Sequence, residues 1–376
     1  MEKIIFATNK VFVDKNKPEG GVSYCTNDFI SLLQTKFEVI IFPLTYNRSL
    51  LYRIKAKLGI DVFEDYNPAD YKNDLYRCIE NNGIKKVFIN LSSASDVARV
   101  VKNKFGDDVK TILCSHGIEA GDFLHHTVRF RSLLSKLHIL MSSYRLGKIL
   151  KTELSLRLNY FDLVLTVSEV EVAIEKWLGA KKVAFVPRVL TPSFINWQPV
   201  MGRLGFVGDV SHFPNYYGLL KLCEAVNINS NKKDKEIIIR VVGKSCRNLE
   251  LITERFSFVQ PIGYLDNDKL IEEAGTWMYY LNLVFYYSKG VSTKLAKGMN
   301  WGLPVISTEM GNRGYSFVKG NVNTVDDVNG ILQLVDTRLN NYSQLKEDKE
   351  NVELAVLSSI TYIDLMQSLS SIIDSL

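Results

Sequence analysis

With 376 residues, 46% of them hydrophobic, the chain is too long for one comfortable core and too apolar to be disordered, so two domains of ordinary size are expected. A formal net charge of +5 excludes the dense positive field of a dedicated nucleic-acid binder, yet suits nucleotide diphosphates or an acidic lipid surface. Five scattered cysteines (25, 78, 114, 223 and 246) and five histidines form no CxxC, HxxxH or HExxH, so no metal site is expected and the thiols read as reduced.

In chain order, short apolar runs alternate with longer segments of helical spacing. The first, residues 3–7, stops after Ala7, without the apolar core and cleavage site of a signal peptide. No stretch reaches the roughly 20 apolar residues that span a bilayer, so a cytoplasmic place is expected. Further runs follow at 38–42, 86–90, 111–115, 163–167 and 182–186, and in the second half at 203–208, 237–242, 258–263, 277–284 and 304–307. Rich in Val, Ile and Phe and lacking polar alternation, they suit parallel strands buried on both faces, and with the intervening helices they give an α/β fold. A Pro-containing stretch, residues 188–202, separates about six strand–helix units from about five. The domains expected are 1–190 and 203–355, with a final helical segment drawn from 352–376 in which 356–376 returns to the first domain. Two such sheets facing one another would leave a central cleft lined by strand-end loops.

Several loops could carry chemistry. Gly20-Gly21 precedes a helix, where paired glycines permit an anion or acceptor contact but equally a plain tight turn. The GxGxxG and following acid of a nicotinamide-dinucleotide site are absent there. His116, just after the 111–115 run, could bond a sugar hydroxyl or the developing charge of a leaving group, or else be structural. Residues 124–160 hold seven Lys/Arg against one acid, Glu153, with Leu133, Leu137, Leu140, Met141 and Tyr144 on one face. An ordinary surface helix and a segment resting on anionic membrane are both open readings. In the second half, three runs end in glycine, at Gly208, Gly243-Lys244 and Gly263-Tyr264-Leu265, a floor whose amides could approach a base and a diphosphate. A helix is expected to begin near Tyr216. Gly290 then precedes Ser292-Thr293-Lys294, a helix start whose amides face an anion, with Lys294 one turn in.

The pattern Lys294-x-x-Lys297-x-Met299-x-x-Gly302-x-Pro304-Val305 resembles the K-x-x-E-A-M-x-x-G-x-P-V-V segment of retaining family 4 glycosyltransferases. Residues 162–169, DLVLTVSE, are similar to that family's aspartate–strand–Ser-Glu segment, and 208–215 to a branch with a G-x-x-x-x-x-P-N loop. The resemblance implies the GT-B fold, two Rossmann-like domains with parallel sheets facing a central cleft. It also implies metal-independent transfer of a sugar from a UDP- or GDP-linked donor, with retention and without cofactor, to a glycan or lipid-linked acceptor. By position it places Gly20 and Gly21 on the acceptor–phosphate side and His116 at the donor sugar. Lys244 and Lys294 would face the diphosphate, and the backbone of Tyr264-Leu265 the base. Gly208, Gly243, Lys289, Gly290, Ser292, Thr293 and Lys297 complete the implied donor site.

Three departures stand out. The family's two glutamates, eight residues apart, fall on Lys289 and Lys297, and Asp209 replaces the usual arginine. Lys297 cannot accept ribose hydroxyls as a glutamate does. Lys289, Lys294 and Lys297 together read as an anion pocket. A transferase of surface glycan or glycolipid assembly, peripheral on the inner face of the membrane, is therefore expected. A catalytically silent GT-B partner or glycan-binding subunit and a GT-B sugar-nucleotide epimerase are the alternatives.

Overall fold

The computed structural model describes residues 1–14, 20–57, 63, 65–128, 136–230 and 237–376. It divides into two compact units. Unit 1 is Met1–Arg188 with Lys289–Val291 and Ile360–Leu376; unit 2 is Val189–Ser288 with Ser292–Ser359.

Unit 1 holds β1 (Lys3–Asn9), β2 (Glu38–Leu44), β3 (Lys86–Asn90), β4 (Lys110–Ser115), β5 (Leu163–Thr166) and β6 (Val183–Phe185). They form one parallel sheet in the order β2-β1-β3-β4-β5-β6. Apart from Lys3 every residue of β1 is buried, as in β5, because helices cover both faces of a parallel sheet and leave no water-facing side. On one face Ile5, Val87, Ile89, Leu113 and Val164 pack with Leu75, Ile79, Val97 and Val101 of the helices Pro68–Asn82 and Asp96–Phe105. The closing helix, Tyr362–Asp374, is capped by Thr361 and buries Leu365, Met366, Leu369 and Ile373, a stripe at i, i+1, i+4 and i+8. That stripe lies against the helix Gly21–Gln34, fixed at its ends by Tyr362 Oη to Asp28 (2.9 Å) and Lys36 to Asp374 (2.6 Å).

Unit 2 holds β7 (Val200–Val207), β8 (Ile238–Val242), β9 (Val259–Gly263), β10 (Trp277–Asn282), β11 (Val305–Thr308) and β12 (Asn323–Val325). All pairs are parallel, in the order β12-β11-β10-β7-β8-β9. The fully buried β10 carries Trp277, whose ring lies against β7 where a Cβ on Gly205 would come within 1.8 Å of it. The glycine is therefore a packing requirement of the sheet centre.

The sequence expectations change in five places. The edge strand β12 is an addition, since its three residues present no apolar run. The stretch from 189 has no regular structure of its own as far as Pro199, but it is held by backbone bonds, Ser193 to Asn300, Ile195 to Trp301 and Gln198 to Gly275; β7 then begins at Val200. The helix expected near Tyr216 starts at Phe213, because Pro214 fits a first helical turn, where its missing N–H has no partner to lose. The terminal helical segment is two helices, Tyr342–Leu357 and Tyr362–Asp374. Finally, 124–160 comprises a short π-helix, Leu124–Val128, and the helix Lys136–Tyr160, and Leu133 falls outside the described residues. No single helix among the described residues is long and apolar enough to cross a membrane.

Candidate functional site

In an open parallel sheet a ligand settles beyond the carboxyl ends of the strands, where the strand order reverses. In unit 2 the chain starts at β7, adds β8 and β9 on one side, then crosses to β10 on the other. The reversal therefore falls between β7 and β10, whose following residues lead to Gly208 and to the helix Thr293–Asn300.

Ser292 caps that helix without a side-chain bond to it; its hydroxyl donates to Asn282 Oδ1 at the end of β10. Tyr315 Oη donates to the Ser292 carbonyl and accepts from the Ala296 amide at 3.0 Å, and the Leu295 amide returns to Ser292 at 3.2 Å. The amides of Thr293 and Lys294 make no hydrogen bond among the described residues. An open helix N-terminus of this kind carries roughly half a positive charge.

Lys294 belongs to this first turn, within the Ser-Thr-Lys helix start that the sequence suggested. Its Nζ donates to Asn215 Oδ1 and lies 4.9 Å from the centroid of the Phe206 ring. Neither partner is an anion, and burial draws the ammonium down from 10.5 to about 8 with no carboxylate offsetting it. The contact depends on Gly208: a Cβ there would lie 3.2 Å from Asn215 Nδ2 and 3.3 Å from Lys294 Cδ.

The glycine floor works differently from the expectation. The Gly208 amide donates to Val242 and the Gly243 amide to Gly263, both at 3.0 Å, so these donors are taken by the sheet. What the glycines provide is closeness, since a Cβ on Gly243 would meet the Gly208 carbonyl at 2.3 Å. Lys244 and Tyr264 are exposed and Leu265 half-buried at the same strand ends. Lys297, one turn beyond Lys294, places its Nζ 4.9 Å from the Trp301 ring. The open groove of about 620 Å³ along β12 is lined by no titratable side chain and lies at the sheet edge, away from β7.

In unit 1 the strand order reverses between β1 and β3, whose last residues are Asn9 and Asn90. Asn90 Nδ2 donates to Thr8 Oγ1 (2.9 Å) and Thr26 Oγ1 (2.8 Å). With both amide hydrogens used, its Oδ1, 2.8 Å from His116 Nε2, can only accept. His116 is thereby fixed as the tautomer with hydrogen on Nε2 and a lone pair on Nδ1. Burial, then the charges of Arg188 and Lys289, push the imidazole down to about 3, so it is neutral at pH 7. In this state the Nε2 hydrogen is engaged by Asn90, and the Nδ1 lone pair can accept from a hydroxyl.

Lys289 and Gly290 belong to unit 1. Lys289 Nζ bonds both Glu119 oxygens at 2.7 and 2.8 Å. Burial would lower this ammonium, but Glu119 and Asp122 outweigh it and hold it above the ordinary lysine value. The Gly290 amide goes to Glu171 at 3.4 Å, so neither residue is the unengaged anion donor that the sequence suggested. The segment packs so closely on the end of β4 that a Cβ on Gly117 would meet Gly290 N at 2.4 Å. Gly20 caps the helix Gly21–Gln34, and both glycines are exposed.

The sequence reading did not foresee the buried ionic cluster beneath. Arg157 bonds Glu175 at 2.9 and 3.2 Å and lies 3.9 Å from Glu153, and all three are fully buried. Glu153 accepts from the amides of Glu119 and Ala120, and burial pushes its carboxyl up to about 7 despite Arg157. Among the described residues no group of His, Cys, Asp and Glu could hold a metal ion.

No protein-family model and no curated protein sequence matches this chain. Solved structures do match it over its whole length. Sucrose-phosphate synthase from Thermosynechococcus elongatus aligns with TM-score 0.69 and 13% identity, covering 100% of this chain and 99% of that one. Anabaena HepE, solved in complex with UDP-glucose, aligns with TM-score 0.63, 13% identity and full coverage of both chains. TarM aligns with TM-score 0.63 and 10% identity, covering 99% and 98%. At such identities the likeness is one of fold: two Rossmann-like units of six parallel strands, the GT-B architecture of glycosyltransferases.

Proposed function

We propose that this chain is a glycosyltransferase that binds a nucleotide-sugar through unit 2 and transfers the sugar with retention to a glycan or lipid-linked acceptor. One observation carries the reading: Lys294 is a desolvated cation without a counter-ion among the described residues, placed beside two open helix amides at the strand reversal. A site so built is electrostatically incomplete until an anion arrives, and a diphosphate supplies the charge. When the bond from the anomeric carbon to the β-phosphate oxygen breaks, its electrons leave with the diphosphate. Lys294 and the amides of Thr293 and Lys294 would stabilise that charge in the role a metal plays elsewhere. The Gly208 and Gly243 strand ends would admit the diphosphate closely, with Lys244 as a second, exposed cation and Tyr264-Leu265 toward the base. In unit 1, His116 Nδ1 would accept from a sugar hydroxyl, with Gly20 and Gly21 at an acceptor phosphate. The lysine–proline segment resembling family 4 supports retention, and the UDP-glucose complex of HepE supports the donor class.

The acceptor is proposed to be presented at an anionic membrane surface. Ile139, Leu140, Met141 and Tyr144 are exposed at one end of the helix Lys136–Tyr160 beside Arg145, and Leu50, Leu51 and Ile54 are exposed beside Arg53 and Lys55. Liposome sedimentation should show binding to anionic vesicles that weakens with salt; equal binding to neutral vesicles would reject the electrostatic part.

One observation favours the silent-subunit reading: the position of the family's ribose-binding glutamate is Lys297, held over Trp301. Incubation with a panel of labelled nucleotide-sugars, following diphosphate release with and without glycan acceptors, separates the cases. Acceptor-dependent release supports transfer; binding without turnover supports a silent subunit.

A further inference from the structure

The position of Lys294 is set by a neutral side chain, and the choice of that side chain has a consequence. Asn215 is the third residue of the helix Phe213–Ser230 and is buried. Its Nδ2 donates to the Asp209 carbonyl at 2.8 Å, which turns its Oδ1 toward Lys294 Nζ. Its own amide bonds the His212 carbonyl at 3.0 Å, so both the backbone and the side chain of Asn215 are fixed from the loop that follows β7. Opposite it, the Phe206 ring bounds the ammonium on a second side. An ammonium has three hydrogens, and one is committed to Asn215, which orients the remaining two. An aspartate in this place would pair with Lys294 and cancel its charge, whereas an alanine would leave the ammonium without an acceptor. The carboxamide alone both aims the cation and leaves it charged.

We propose that Asn215 is a positioning residue for donor binding, orienting the Lys294 ammonium toward the diphosphate while leaving its charge uncompensated. The proposal rests on the reading of Lys294 as the diphosphate cation. Among the described residues the groups in contact with the Lys294 ammonium are Asn215 and Phe206, both uncharged, and the carboxylate of the preceding loop, Asp209, accepts from the Ser211 amide at 2.8 Å.

The test uses the full chain and two readouts. Nuclear magnetic resonance of ¹⁵N-lysine-labelled protein follows the Lys294 ammonium through pH 6–11, assigned by its loss in Lys294→Met. Calorimetry follows UDP and GDP binding at pH 7. In Asn215→Asp the Lys294 titration should move up by at least one pH unit and nucleotide affinity should fall tenfold or more. In Asn215→Ala affinity should fall about tenfold, with circular dichroism and melting confirming the fold. A merely structural asparagine would change melting in both variants without moving the Lys294 titration in Asn215→Asp, and that result overturns the proposal. Unchanged nucleotide affinity in Asn215→Asp overturns it as well. A parent that binds neither nucleotide, while its Lys294 titration still responds to Asn215→Asp, overturns the donor-site reading and with it the role in binding, leaving only the contact.

Discussion

Replacing Lys294 by methionine separates a binding lysine from a structural one, because the two roles give opposite signs. The fall of its pKa from 10.5 to about 8 corresponds to about 3.4 kcal/mol disfavouring the charged form in the free protein at pH 7. The side chain is only part-buried, so solvent screening reduces that to about 2 kcal/mol. Methionine removes this cost and keeps the apolar stem, but it also loses the bond to Asn215 and the contact with Phe206, together about 1.5–2 kcal/mol. The balance is near zero, and the melting temperature of the nucleotide-free variant should stay within about 3 °C of the parent. Binding behaves differently. One cation lost from a diphosphate site should weaken UDP or GDP by on the order of a hundredfold, about 2.7 kcal/mol, with a like fall in kcat/KM. The pH dependence has a definite sign: parent affinity should decline as pH rises through about 8 and the ammonium loses its proton, while the variant stays flat. Differential scanning calorimetry and isothermal titration suffice. A variant that melts many degrees lower yet binds nucleotide as the parent does would refute the reasoning.

For His116, already neutral far above its pKa of about 3, kcat/KM should show no inflection near pH 6.5 attributable to it; an inflection abolished by His116→Asn would contradict the fixed tautomer. Glu153 has the reverse linkage: its folded pKa of about 7 lies above the unfolded 4.5, so its contribution to stability is largest at low pH and declines as pH rises from 4.5 to 7. Urea unfolding should show a loss of about 2 kcal/mol between pH 5.5 and 8 that Glu153→Gln removes; the same slope in both proteins counts against it. For Lys297, a glutamate substitution should weaken UDP and GDP binding if the parent lysine supports the phosphates, whereas tighter binding by Lys297→Glu, with none by the parent, would favour the silent subunit.

Much of the fold was legible because a parallel sheet covered on both faces needs largely apolar strands, and eleven of the twelve strands coincide with an apolar run. Strand β12 was invisible for the complementary reason: Asn323–Val325 sits at an edge, pairs on one side only and needs little apolar content. Lys294 could be found from the sequence because Gly, Ser, Thr and Lys mark a helix start. Its meaning could not, since the absence of a counter-ion is a property of the packed neighbourhood. Lys289 shows the converse. In sequence it joins Lys294 and Lys297 as a third cation, while in the structure Glu119, 170 residues away, claims it. A usable signal was overlooked at Asn9, Asn90 and Asn282, polar residues that each close an apolar strand and prove to be buried. Such residues cost free energy unless fully bonded, so their presence at strand ends points to organised polar networks.

The two strand reversals meet different physical demands. At the reversal in unit 1 the polar groups are Thr8, Thr26, Asn90 and a neutral His116, a chain in which both Asn90 amide hydrogens and the His116 Nε2 hydrogen have acceptors and Nδ1 carries a lone pair. Such a network discriminates by direction: it takes a hydroxyl hydrogen and gives no advantage to an anion. At the reversal in unit 2 the elements are a desolvated ammonium and two open amides, which supply positive potential and accept nothing. The hydrogen bonds of these two networks use no side chain at position 289 or 297, and among the described residues no acid pairs with Lys294, the cation proposed to meet a diphosphate.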